Sequence, residues 1–174
     1  MQRWTELASL VNILLLSALL ACNQGHPLPS EESPGVDRIS KTPPAAPKSL
    51  IHGTFALKKY EKFPFEVPSH VINPRVMGVF SSYVQGPGGM KVSDESADVE
   101  LMVMTEAQCD DFIHGRSAES VDAIEPSHNH GVRITLPNSH DEPVRYFVVF
   151  RRSAEGKTPI SVYGDLTAEF GPSM

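Results

Sequence analysis

Ile160, Val162, Gly164, Leu166, Ala168 and Phe170 fall on one side of an extended chain, and Ser161, Tyr163, Asp165, Thr167 and Glu169 on the other. That period of two predicts a half-buried antiparallel strand over residues 160–170. Val132, Ile134 and Leu136, set against Arg133 and Thr135, repeat the pattern. Tyr146-Phe147-Val148-Val149-Phe150 is a continuous apolar run closed by Arg151 and Arg152, as a central strand buried on both faces requires. Residues 99–104 form a similar run entered from Asp98. Weaker strand patterns cover residues 54–57, 63–67, 75–84 and 120–124. Thr105 followed by Gln108 fits a capping box, and Gly115 supplies the stop, so one short helix is expected between them. Cys109, Phe112 and Ile113 would share its inner face and leave Asp110 and Asp111 wet. No βαβ spacing is present. The expected fold is all-β: an antiparallel β-sandwich of about seven or eight strands with one short helix.

The apolar pattern changes character near the start. Residues 7–21 form a 15-residue apolar stretch interrupted by Asn12 and preceded by Arg3. A helix needs about 20 apolar residues to span hydrocarbon, so this length suits a cleaved secretory signal. From Asn23 to Leu50 periodicity disappears and six prolines occur among serine, lysine, glutamate and glycine. Proline removes backbone donors and stiffens the chain, so residues 22–50 are expected to be a solvated, disordered linker whose 28 residues after Cys22 reach roughly 30 Å as a coil. The expected organisation is therefore a signal peptide at 1–21, a linker at 22–50 and a sandwich domain at 51–174.

Leu19-Leu20-Ala21-Cys22 resembles the lipobox of bacterial lipoproteins: an apolar residue, a tolerant position, a small residue, then cysteine. The resemblance implies diacylation of the Cys22 sulfur, cleavage before Cys22 and acylation of its new amino terminus. At about 0.8 kcal/mol per buried methylene, two or more chains anchor a protein stably. It also implies a place in the cell envelope, lipid-anchored outside the cytoplasmic membrane. Asn23, where an aspartate would favour inner-membrane retention, points to the outer membrane in a diderm host. The run Gly78-Val79-Phe80, Asp98-Val99-Glu100-Leu101, Leu136-Pro137, and Val162-Tyr163-Gly164-Asp165-Leu166 resembles GOLD and bacterial pre-peptidase C-terminal β-sandwiches. That resemblance implies a domain that binds or accompanies a partner and carries over no functional residues.

Charge and composition narrow the function further. Lysine and arginine total 15 against 21 aspartates and glutamates, a net charge of -6, which argues against nucleic-acid binding. Two cysteines make no disulfide framework. The densest ligand cluster is His128-Asn129-His130, because histidines two apart on a strand face the same side and imidazole suits zinc or copper. His114, Cys109 or Asp141 would have to complete such a site, and a turn before the strand at Val132 is the plainer use of these residues. Ser139-His140-Asp141 places triad residue types side by side, where they cannot form a relay, and residues 138–143 read as a hairpin turn. Asp94, Glu95 and Asp98 follow Gly86-Pro87-Gly88-Gly89 in a loop with no EF-hand spacing. Its length for a hairpin makes it a candidate binding element. Asp98 and Glu100 are two apart at a strand start and read as surface. Cys109 reads as a small core residue. The expected function is a non-catalytic binding or assembly module held at the membrane by its lipid, with an envelope protein partner and no cofactor. A metal-binding protein or metal-dependent enzyme using His128 and His130 is the alternative.

Overall fold

A computed structural model of the chain describes residues 46–153, 156 and 158–171. The expected signal peptide, Cys22 and the linker up to residue 45 lie outside the described residues. Nine strands and one helix follow: β1 (Lys48–Leu57), β2 (Tyr60–Val67), β3 (Arg75–Gln85), β4 (Lys91–Val92), β5 (Val99–Thr105), α1 (Glu106–Ile113), β6 (Asp122–Ser127), β7 (Asn129–Thr135), β8 (Val144–Arg152) and β9 (Ile160–Glu169). β1 begins at Lys48, so the ordered domain takes in the last three residues assigned to the linker, and Leu50 packs against the core.

Two antiparallel sheets face each other. One runs β1-β9-β3, with β7 and the short β4 sharing the far edge of β3; the other runs β2-β8-β5-β6. The alternation in β9 holds: Ile160, Val162, Leu166 and Ala168 are buried, and Tyr163, Asp165 and Glu169 are exposed. β8 explains its unbroken apolar run differently from β9. Tyr146, Val148 and Phe150 enter the core between the sheets, while Phe147 and Val149 enter a second, smaller core with Met102, Met104 and Cys109. That second core is closed by α1 through Phe112 and Ile113. A strand covered on both sides has no polar face to keep.

The helix starts as its sequence requires. Thr105 Oγ1 accepts from the Gln108 amide at 3.3 Å, and Gln108 Oε1 accepts from the Thr105 amide at 3.0 Å. Gly115, at φ 69°, terminates it. Phe150 is the hub of the main core, with edge-to-face contacts to Phe55, Phe80 and Phe63 at 5.3, 5.5 and 6.3 Å between centroids. Gly78, on β3 opposite Leu166, has φ 144°, and a Cβ there would collide with the Asp165 carbonyl oxygen.

Register also fixes the two ends of the sandwich. Lys48 pairs with Ala168 and Arg75 with Glu169, so the chain enters and leaves at one end. The opposite end carries the 58–59 turn, residues 86–98, His128 and Ser153. Three outer strands are interrupted: β1 by a register shift between Ser49 and Ile51 and by Gly53 at φ 145°, β2 by Pro64, and β6 by Pro126 beside another register shift.

Residues 138–143 are not a hairpin turn. β7 pairs with β3 in one sheet and β8 with β2 and β5 in the other, so this stretch crosses between sheets. It is fastened to residues 68–74. Ser139 is buried, its hydroxyl accepts from the Val71 amide at 2.8 Å and donates to the Pro68 carbonyl, and its own amide donates to Val71 at 3.0 Å.

Candidate functional site

The best-connected polar residues lie at the end away from Lys48. His128 is the single residue between β6, in one sheet, and β7, in the other. Its carbonyl accepts from the Ser82 amide at 2.8 Å, and its Nδ1 lies 2.8 Å from Asp98 Oδ1, the carboxylate being the more buried partner. Ser82, itself buried in β3, donates its hydroxyl to the Ala97 carbonyl at 2.6 Å, one residue before Asp98. Ser153, after β8, donates both amide and hydroxyl to the Asp98 carbonyl at 3.2 and 3.1 Å. Segments from both sheets are thereby joined where the β3–β7 and β5–β6 ladders end.

The acidic loop is organised by its own residues. Asp94 Oδ1 accepts from the Ser96 hydroxyl at 2.5 Å and the Ser96 amide at 2.9 Å, capping a 3-10 turn over Glu95–Ala97. These bonds hold the Asp94 carboxyl below its ordinary range, with the Ser96 side chain the largest cause. Ser93 donates to the Ser82 carbonyl at 2.9 Å. Ahead of this turn, residues 86–90 close on themselves through the Gly86 amide and Met90 carbonyl at 2.8 Å, with Gly88 and Gly89 at positive φ. Met90, at 66% exposure, is the most exposed large apolar side chain among the described residues.

The histidines close in sequence separate in space. His128 and His130 lie at this end, His130 tilted over the Phe80 ring at 6.4 Å. His140 and Asp141 lie in the crossing at the opposite end, where the His140 carbonyl accepts from His70. His114 caps α1, with Nδ1 2.8 Å from the Asp110 carbonyl. Cys109 is buried on the inner face of that helix, and burial pushes its thiol pKa up. Among the described residues, no group of three or more His, Cys, Asp or Glu side chains is placed to hold a metal ion. Ser139 is consumed by the loop clamp, away from any relay. Glu100, by contrast, pairs with the Arg151 guanidinium across β5 and β8, its Oε2 2.7 Å from Nε.

Asp98 as the partner of His128 escaped the sequence reading. Thirty positions separate them, and only the pairing of β6 with β5 brings them together. The outer side of β9, with Tyr163, was visible as the polar half of the alternation, yet nothing local shows which strands flank it.

No family model matches the chain, and no curated protein is similar to it. Among solved structures the chain is similar to TmCBM61 in complex with beta-1,4-galactotriose, at 8% identity and a TM-score of 0.39, over 66% of this chain and 67% of that one. A likeness of that size carries no argument about ligand or mechanism.

Proposed function

We propose that the chain is a lipid-anchored extracytoplasmic binding module, secured through Cys22 and turning one loop-bearing end of its sandwich toward an envelope partner. The observation that carries the reading is Leu19-Leu20-Ala21-Cys22 placed directly after a 15-residue apolar stretch. The direction of β1 supports the orientation, since the polypeptide from Cys22 joins the domain at the Lys48 end and residues 86–98 and 128 occupy the other. Ser82, His128, Asp98 and Ser153 brace that end, and a braced loop loses little entropy on binding. With three outer strands interrupted, the loops are better suited to a protein partner than the sheet edges are.

Substituting Cys22→Ala in cells should abolish labelling by a palmitate analogue and move the protein out of the membrane fraction. Labelling that persists in the substituted protein would sink the anchor. One observation favours the second reading, a metal-binding protein. Asp98 occupies Nδ1 of His128 and leaves Nε2 for a ligand, an arrangement common around metal-bound imidazole. One equivalent of zinc or copper, lost on combining His128→Ala with His130→Ala, would establish it.

A further inference from the structure

Cross-strand register places Thr54, Tyr163, Ser81 and Asn129 in one row across β1, β9, β3 and β7, on the face turned away from the core. Ser161 and Tyr83 form part of the next row on one side. His52, Asp165, Val79 and Gly131 form the row on the other. Within these three rows Asp165 is the one carboxylate, and His52 Nδ1 lies 3.2 Å from it. Charge returns at the two ends of the face, with Lys91 over Tyr83 at one and Arg133, Arg75 and Glu169 toward the Lys48 end. In a chain of net charge -6, four strands thus share an almost uncharged tract of hydroxyls and one amide.

Two apolar groups stand up from this tract: Val79 at 50% and Tyr163 at 38% exposure. Tyr83 lies on the neighbouring strand, one row away, but Lys91 Nζ sits 4.5 Å from its ring centroid and occupies it. Tyr163 is therefore the aromatic surface that the tract offers. With strands about 4.8 Å apart, donors and acceptors flank that ring on both sides at side-chain reach.

The chemistry selects the occupant. A charged polymer finds no complement in this tract. A protein interface needs about 800 Å² on each side around an apolar centre, and two exposed apolar side chains do not supply one. A pyranose ring has the complementary character: a C–H face to lay on a phenol ring, and a rim of hydroxyls to exchange hydrogen bonds with Ser81, Ser161, Thr54 and Asn129. We infer that the outer face of β1, β9, β3 and β7 is a binding platform for an uncharged polysaccharide, with Tyr163 as the stacking residue. This adds a lateral surface to the loop end and rests on the binding-module reading.

The test is native affinity electrophoresis of the full mature chain in non-ionic detergent, through gels containing galactan, xylan, mannan or hydroxyethylcellulose, with polygalacturonate as the charged counterpart. At least one uncharged polymer should retard the protein and polygalacturonate should not. Tyr163→Ala should weaken the retarding affinity about tenfold or more, whereas Tyr163→Phe and Arg75→Ala should preserve it. Circular dichroism of each variant confirms that the fold is intact. Three results would overturn the inference: no retardation by any uncharged polymer, equal retardation of Tyr163→Ala and the parent, or preference for polygalacturonate. Sedimentation showing a dimer that Tyr163→Ala dissolves would assign the face to a second copy and overturn it equally. None of these results touches palmitate labelling at Cys22, so failure of the platform and failure of the anchor are separable.

Discussion

Ser139→Ala removes one oxygen atom, and its cost follows from what that oxygen holds. The hydroxyl is the acceptor for the Val71 amide and the donor to the Pro68 carbonyl, in a loop pair where both Val71 and Ser139 are 1% exposed. Water cannot replace it at that burial. The Val71 N–H would be left buried and unpaired, a loss of about 1–3 kcal/mol, and the Pro68 carbonyl would lose a second bond of about 1 kcal/mol. The backbone bond from Ser139 to Val71, at 3.0 Å, and the neighbouring bond from His70 to His140, at 2.8 Å, survive the substitution and keep the crossing attached. The expected loss is therefore about 2–4 kcal/mol. With a urea slope near 2 kcal/mol/M, the unfolding midpoint should fall by roughly 1–2 M at unchanged slope. The assay is equilibrium urea unfolding of the mature chain carrying Cys22→Ser, followed by far-ultraviolet circular dichroism. Asn138→Ala, which removes an exposed side-chain bond to the Asn73 amide, serves as the control and should cost less than about 1 kcal/mol. A Ser139→Ala midpoint indistinguishable from the parent would refute the clamp.

Two further outcomes test the cores. Phe150→Ala vacates the centre of the aromatic cluster and should destabilise the domain by about 3–5 kcal/mol in the same urea assay, whereas a loss under 1 kcal/mol would mean the sheets do not pack around that ring. Cys109 has a thiol pKa raised by burial on the inner face of α1, so less thiolate exists at any given pH than in the unfolded chain. Its alkylation by iodoacetamide at neutral pH should consequently be at least tenfold slower in the native protein than in urea, and equal rates would show that the inner face of α1 is not packed on the sheet.

The parts of this fold legible in the sequence are those where burial is decided locally. β9 keeps its alternation because one face meets the core and the other does not, and β8 loses it because α1 covers its second face. The capping box at Thr105 and Gln108 was equally plain, since both bonds lie within one turn. Sheet membership was not legible. Residues 138–143 have the composition of a hairpin turn, and only the pairing of β7 with β3 and of β8 with β2 reveals a crossing. β6 runs Asp122–Ser127 instead of 120–124 because it follows an irregular register along β5 and tolerates Pro126 at the sheet edge. His128 reads as a turn residue in sequence; in the fold it is the step between two sheets, bonded to an aspartate thirty positions earlier.

If the chain is held on a surface through Cys22, as we propose, the interruptions in β1, β2 and β6 take on a different meaning. A lipid anchor confines neighbours to two dimensions, where collisions between like molecules are frequent and share a common orientation. Ten residues of unbroken β1 would then act as a template for the next copy, and one pairing event would expose a fresh edge for another. The displaced register at Leu50, the mirror-image backbone at Gly53 and the missing amides at Pro64 and Pro126 deny that chain reaction a continuous seam. Were the anchor to crowd such molecules on a membrane, these three edges would resist pairing with one another.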